Sequence, residues 1–299
     1  MLPFFIVVLA VVVGLIEPKF WSAANVTNLL RQLAPLLILT VGQAFAIIGG
    51  GLDLSIAATL AAAGVVGVLV MEQFGMVAGI VAMLATGLAI GLVNGMLITR
   101  FRVSPFITTL GTMSVIKGLT LVASGGLPLY SMPDTFLDIF GDGQILGVPA
   151  GAIIAFGCIL LATFILRRTV LGRYIYAIGA SPTAAYSAGV PTAAVTLAIY
   201  VFSGLMAGVA GVVMTSWVSA AQPLAGSGLE LQAIAAAVIG GTALTGGVGR
   251  IAGIVCGAVI LGMLSNGLNM IGVSSFYQTS CIGVIIIIAV VLDRYRSHS

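Results

Sequence analysis

Few residues of this sequence could carry out catalytic or metal chemistry. The only histidine, His298, is next to last among 299 residues, so a catalytic or metal site built on histidine is excluded. The cysteines lie inside apolar runs without C-x-x-C spacing, which predicts buried thiols. They are Cys158, Cys256 and Cys281. We therefore expect no catalytic residue, no metal site and no cofactor bound by this chain.

A nucleotide-binding P-loop is also absent from the sequence. That motif requires a lysine followed by serine or threonine at the end of a glycine-rich loop. The only lysines are Lys19 and Lys117, and Phe20 and Gly118 follow them. If the protein's work needs ATP, another chain must hydrolyse it.

Three ionisable residues lie within or at the ends of apolar segments, where a charge is costly and often functional. Asp53 and Glu230 each follow a Gly-Leu pair at the start of such a segment, and Lys117 lies inside another. A gating role is one interpretation. The other is structural, because a helix dipole stabilises carboxylates at its N-terminus and a lysine can extend toward the membrane interface.

The composition determines which elements can position these residues. Hydrophobic residues make up 60% of the chain and charged residues 6%, which indicates an all-α polytopic membrane protein. Counting about 20 apolar residues per crossing predicts about ten transmembrane helices. Their ranges are 2–16, 33–50, 55–71, 76–98, 106–123, 149–166, 193–217, 231–247, 251–271 and 276–292. The first range lacks the basic start and cleavage site of a signal peptide.

The distribution of basic residues predicts the orientation of the chain. Eight of the eleven basic residues fall on one face of this topology, which the positive-inside rule assigns to the cytoplasm. Both termini are then cytoplasmic, and the loop 124–148 is periplasmic. Runs of glycine at 49–51 and 240–241 predict that some of the helices are broken, as they often are along transport paths.

The loop 167–192 lies on the predicted cytoplasmic face and has too many glycine and proline residues to span a membrane. Ser181 is a favoured N-cap, Pro182 suits the first helical position, and Gly189 and Pro191 end the helix. The pattern predicts a short helix over 181–188. So short a helix must dock on a larger body, either its own membrane domain or a cytoplasmic partner.

Five motifs together resemble the permease subunits of ribose-type carbohydrate ABC importers. They are G-G-L-D-L-S, L-G-R-Y-I-Y-A-I-G, the long run from Ser219 to Thr242, G-G-V-G-R-I-A-G, and S-N-G-L-N-M-I-G-V-S-S-F-Y-Q. They occupy Gly50–Ser55, Leu171–Gly179, Ser219–Thr242, Gly246–Gly253 and Ser265–Gln278. The resemblance extends over nearly the whole chain.

The resemblance implies that residues 1–299 form one transmembrane permease domain in a bacterial plasma membrane. The implied partners are a cytoplasmic ABC ATPase that uses ATP and magnesium, a periplasmic sugar-binding protein and a second permease subunit, identical or related. It also implies that the loop 167–192 couples to the ATPase. The coupling residues would be Gly179, Ser181, Pro182, Thr183, Ala184, Ala185, Tyr186 and Gly189.

Two positions differ from the family pattern. The family usually has Gly-Asn where this chain has Ala180-Ser181, and a basic residue where it has Tyr186. Because serine and asparagine both cap helices well, the predicted cap is kept. The surface offered to the ATPase is altered.

A path for a neutral, polyhydroxylated sugar should offer amides and hydroxyls with few charges. Four amide side chains lie in or at the ends of the apolar segments and form our candidate path. Hydrogen bonding between helices is the alternative for each of them. They are Gln43, Asn94, Asn266 and Asn269.

Two other functions remain open from the sequence. A permease for branched-chain amino acids belongs to a related family of importers. An ion-coupled secondary transporter would need embedded carboxylates, for which only Asp53 and Glu230 are available.

Overall fold

A computed structural model describes residues 2–274 together with residues 277, 280, 283 and 284. This part of the chain is almost entirely helical. Its α-helices are α1 (Leu2–Ile16), α2 (Ala23–Ile48), α3 (Ile56–Arg100), α4 (Pro105–Ser124), α5 (Asp134–Phe136), α6 (Ala150–Arg168), α7 (Val170–Ala180), α8 (Pro182–Ser187), α9 (Thr192–Val218), α10 (Leu229–Ile239) and α11 (Ile251–Met270). A 3-10 turn (Pro18–Trp21), a π-helical turn (Leu137–Gly141) and a hairpin of β1 (Gln144–Ile145) and β2 (Val148–Pro149) complete it.

Six of these helices are long and apolar enough to cross a membrane: α2, α3, α4, α6, α9 and α11. The chain is therefore an all-α, polytopic membrane protein, as predicted. The number of ten crossings and the cytoplasmic position of both termini stay predictions. Most of the expected last span, 276–292, lies outside the described residues.

The longest helix, α3, is a hairpin of two antiparallel limbs. Gly75 has φ 83° and ψ 177°, values that reverse the chain within the helix. A Cβ on Gly79 would meet the side chain of Met71, and the amide of Asn94 donates to the hydroxyl of Ser55 at 2.8 Å. The limbs correspond to the separate spans predicted at 55–71 and 76–98.

Helices α2 and α9 form the centre of the bundle. Most residues in the second half of α2 are buried by neighbouring helices. Helix α9 packs against α2 and against both limbs of α3. The approach is close because glycines face each other. The backbones of Gly87 and Gly204 touch, and a Cβ on either would strike the carbonyl oxygen of the other.

The chain is interrupted beside α9 at two places. The first break, residues 49–55, joins the end of α2 to the start of α3. The second break, residues 219–228, joins α9 to α10 and is tied to the loop 124–148 by paired main-chain hydrogen bonds between Leu129 and Ala221. The span predicted at 231–247 is wrong at its end, since α10 stops at Ile239 and Gly241 turns the chain with φ 83°.

Candidate functional site

The loop 167–192 contains the predicted short helix and a second helix before it. Thr169 caps α7, accepting from the main-chain nitrogen of Gly172 at 3.2 Å. Ser181 caps α8, accepting from the main-chain nitrogen of Ala184 at 3.3 Å. Gly189 ends the segment with φ 82°, as the sequence predicted.

Helix α8 lies on the surface and is attached through one small side chain. Ala185 is 5% exposed and packs into the main core, whereas Tyr186 is 73% exposed. Pro182, Thr183 and Ala184 face outward as well. Gly179 differs from the other predicted coupling residues because it is buried inside the protein and offers no surface to a partner.

The first break holds a buried polar cluster around Asp53, which is 1% exposed. One carboxylate oxygen of Asp53 accepts from the main-chain nitrogen of Ser55 at 3.0 Å and from its hydroxyl at 2.6 Å. The other accepts from the hydroxyl of Ser203 on α9 at 2.8 Å. Asn94 joins the cluster through Ser55. The carboxylate therefore fixes the first break to α9 and to both limbs of α3.

Several buried polar atoms around α2 and α9 have no hydrogen-bond partner within the described part of the chain. They include the carbonyl oxygen of Asn94, the hydroxyl of Tyr200 and both amide atoms of Gln43. A buried polar atom without a partner costs about 1–3 kcal/mol. Such atoms are a reason to look for a function in this region.

The other charged candidates have different surroundings. Glu230 is 8% exposed, and its carboxylate accepts from the main-chain nitrogen of Gly228 at 2.9 Å, which caps the start of α10. Its position supports the structural interpretation. Lys117 is half-buried on α4 and belongs to neither break.

The four candidate path amides do not gather at one site. Asn94 lies at the first break, whereas Asn266 on α11 exchanges two hydrogen bonds, at 3.1 and 3.2 Å, with Asn25 at the opposite end of α2. Asn269 is exposed near the end of α11, and Gln43 is fully buried in α2. Their role in a path stays a prediction.

A cavity of about 530 Å³ lies between α8 and the first break. Pro182 and Tyr186 of α8 form one side, and Tyr200 lies among the lining residues of α9. Three threonines and one arginine also line the cavity: Thr99, Thr192, Thr196 and Arg102.

Tyr176 connects α7 to the loop between α10 and α11. Its hydroxyl donates to the main-chain carbonyl of Gly249 at 2.8 Å. Burial raises the pKa of the Tyr176 hydroxyl, and the positive charges of Arg167 and Arg250 offset part of that rise. The hydroxyl is therefore a stable donor at neutral pH.

Sequence reasoning missed Ser203, Asn25 and Tyr176 as partners in these contacts. Ser203 is one of many serines and lies 150 residues from Asp53, so no local pattern joins them. Two general signals were available. A buried carboxylate needs hydrogen-bond donors, and a helix packed on α3 through Gly204 brings the adjacent Ser203 close to the start of α3.

Comparison with known proteins connects this geometry to a family. Residues 25–290 match the family profile described as the permease component of the branched-chain amino acid transport system. The ribose import permease protein RbsC of Bacillus subtilis is 41% identical over 292 residues, covering 97% of this chain and 91% of that protein. The ribose import permease protein RbsC of Escherichia coli K12 is 40% identical, covering 97% and 92%.

A third relative is named for a different sugar. The D-allose transport system permease protein AlsC of Escherichia coli K12 is 36% identical, covering 98% of this chain and 91% of that protein. No solved structure matches the chain. The family profile and these relatives each extend over most of the sequence. The chain belongs to the family of transport-system permease components that includes the ribose import permeases.

Proposed function

We propose that this chain is the membrane-spanning subunit of an ATP-driven ABC importer that carries a monosaccharide by alternating access. The observation that carries the proposal is α8, a capped and exposed helix that faces the first break across the cavity of about 530 Å³. The relatives named for ribose and allose support a pentose or hexose as cargo.

In this proposal the chain is no enzyme, and its partners supply the remaining functions. A cytoplasmic ABC ATPase hydrolyses ATP with magnesium and contacts α8 through Thr183, Ala184 and Tyr186. A periplasmic sugar-binding protein delivers the cargo, and a second permease subunit completes the membrane part. The complex lies in the bacterial plasma membrane.

The first break is the proposed point at which the path opens and closes. Hydroxyl and amide groups of Ser55, Asn94, Ser203 and Tyr200 lie there around Asp53. Groups of this kind can bind sugar hydroxyls. Because they are buried in this state, they reach a sugar only after the first break moves. Nucleotide can drive that movement only if the open and closed states contact the ATPase differently.

Reconstitution tests this function. The permease, its ATPase and its binding protein are placed in liposomes, and uptake of labelled ribose is measured with ATP and with a non-hydrolysable analogue. We expect uptake that requires ATP hydrolysis and the binding protein, with competition by other monosaccharides. Competition by leucine alone would instead assign the chain to branched-chain amino acids, which the family's description includes. Uptake by the isolated chain that is abolished by ionophores would replace the proposal with ion coupling.

A further inference from the structure

Three segments of main chain meet without intervening side chains at the buried end of α7. We call this the glycine junction and define it as Ile48–Gly50, Gly179–Ala180 and Gly246–Gly247. The main-chain nitrogen of Gly247 donates to the carbonyl of Ile48 at 2.8 Å. A Cβ on Gly179 would collide with that same carbonyl and with the nitrogen of Gly247.

The other contacts of the glycine junction are equally close. A Cβ on Gly246 would lie 2.7 Å from the Cα of Gly50, and one on Gly247 would lie 2.8 Å from the Cα of Ala180. Every one of these contacts joins main chain to main chain. Because no side chain can change rotamer to absorb a displacement, the three segments must shift together or separate.

The glycine junction connects α8 to two other parts of the protein. Ala180 directly precedes Ser181, the cap of α8. Ile48 is the last residue of α2 before the first break, and the loop of Gly246 and Gly247 connects α10 to α11. The hydrogen bond from Tyr176 to Gly249 ties α7 to that loop a second time. The junction thus lies between α8, the first break and the loop that follows α10.

Helix α8 makes few packing contacts of its own. Ala185 is its one residue buried in the core, and the cavity of about 530 Å³ lies between Pro182 and Tyr186 on one side and Gly49, Gly50 and the turn between α3 and α4 on the other. Across this cavity α8 does not press directly on the first break. The main-chain link through Ser181 to the junction is therefore the closer connection, and displacement along it moves the attached segments.

We propose that the glycine junction is the element that carries movement of α8 to the first break and to α10, with Gly179 as its positioning residue. This inference rests on the proposed function. Gly179 acts inside the permease, and the ATPase does not touch it. The junction moves as one body, so its three segments stay in contact throughout the transport cycle.

Gly179→Ala tests the proposal by adding one methyl group between α7 and α2. Gly179 has an ordinary helical φ, so the effect is steric alone. The matched control is Gly157→Ala in α6, where a Cβ would meet nothing within 4 Å. In the reconstituted complex, we expect the Gly179→Ala complex to bind the ATPase as wild type does. We also expect loss of the stimulation of ATP hydrolysis by sugar-loaded binding protein, and uptake about tenfold lower.

Either of two results would overturn the proposal. Stimulation and uptake equal to those of Gly157→Ala would show that the contact is not needed. Loss of ATPase binding would show that Gly179 belongs to the docking surface. In both cases the wild-type complex still transports, so the proposed function stands. Failure of the wild-type complex to transport any sugar would refute the proposed function itself.

Tyr176→Phe supplies a second test if the Gly179→Ala protein does not assemble. It removes the hydrogen bond from α7 to the carbonyl of Gly249 and adds no atom to the glycine junction. We expect the Tyr176→Phe complex to bind the ATPase as wild type does, with weaker stimulation of ATP hydrolysis by sugar-loaded binding protein and lower uptake. Stimulation and uptake equal to those of wild type would show that the link between α7 and this loop is not needed, and would overturn the proposal.

Discussion

The hydroxyl of Ser203 donates to the buried carboxylate of Asp53 at 2.8 Å and so fastens the first break to α9. The two residues are 150 positions apart in the chain. Asp53 receives its other hydrogen bonds from Ser55, within its own loop. Ser203 is therefore the direct connection between this carboxylate and a long helix of the bundle centre.

Replacing Ser203 by alanine should destabilise the first break. It leaves one buried carboxylate oxygen without its donor, at a cost of about 1–3 kcal/mol. We expect a lower thermal unfolding temperature in detergent and reduced uptake. Ser114→Ala is the control, since Ser114 is exposed and bonds only to Leu110 of its own helix. Equal unfolding temperatures for the two variants would contradict the assigned role of Ser203.

Charged substitutions in α8 should separate coupling from folding. The resemblance placed both Ala184 and Ala185 among the coupling residues, but the structure places Ala184 on the surface and Ala185 in the core. We expect Ala184→Glu to insert normally and to lose sugar-stimulated ATP hydrolysis, whereas Ala185→Glu should fail to accumulate because a charge is forced into packed apolar surface. Ala184→Ser is the control. Normal uptake by Ala184→Glu would argue against α8 as the docking helix.

The pair of hydrogen bonds between Asn25 and Asn266 should be a structural link between α2 and α11. A double-mutant cycle with Asn25→Ala and Asn266→Leu measures it by thermal unfolding in detergent. We expect a coupling energy of about 0.6–1.7 kcal/mol, the range of polar contacts between membrane helices. Additive effects would mean that the two amides act separately and would favour the path role for Asn266.

Replacing Gln43 should not destabilise the protein, because its buried amide has no hydrogen-bond partner among the described residues. Gln43→Leu removes an unpaired polar group, so we expect an unfolding temperature equal to or above that of wild type. Because the path prediction assigns this amide to the sugar path, we expect uptake to fall in Gln43→Leu. Gln73→Leu, an exposed change at the tip of α3, is the control. Unchanged uptake in Gln43→Leu would remove Gln43 from the path.

The helices, including the short helix α8, could be predicted because their signals are local. Apolar runs marked the crossings, and Ser181, Pro182 and Gly189 marked the ends of α8 through capping and backbone preferences. The turn at Gly75 was predicted as a gap between two spans. Its hairpin geometry depends on the positive φ of Gly75, which no neighbouring residue indicates.

The contacts of the candidate site could not be predicted because they join distant segments. Nothing near Gly179 in the sequence indicates that its missing side chain makes room for the carbonyl of Ile48. Likewise, Asn94 and Asn266 are the same residue type in similar apolar surroundings, yet one joins the Asp53 cluster and the other pairs with Asn25. Their different partners follow from packing of whole helices.

The hairpin of α3 also bears on how the protein is made. Its limbs turn back at Gly75, and near that tip only Glu72 carries a charge. In the predicted orientation this tip is periplasmic, and we expect a ribosome-bound chain to deliver both limbs to the bilayer as one closed unit, with a single carboxylate to translocate. The hydrogen bond from Asn94 to Ser55 joins the two limbs at the open end of the hairpin and requires no residue of α9.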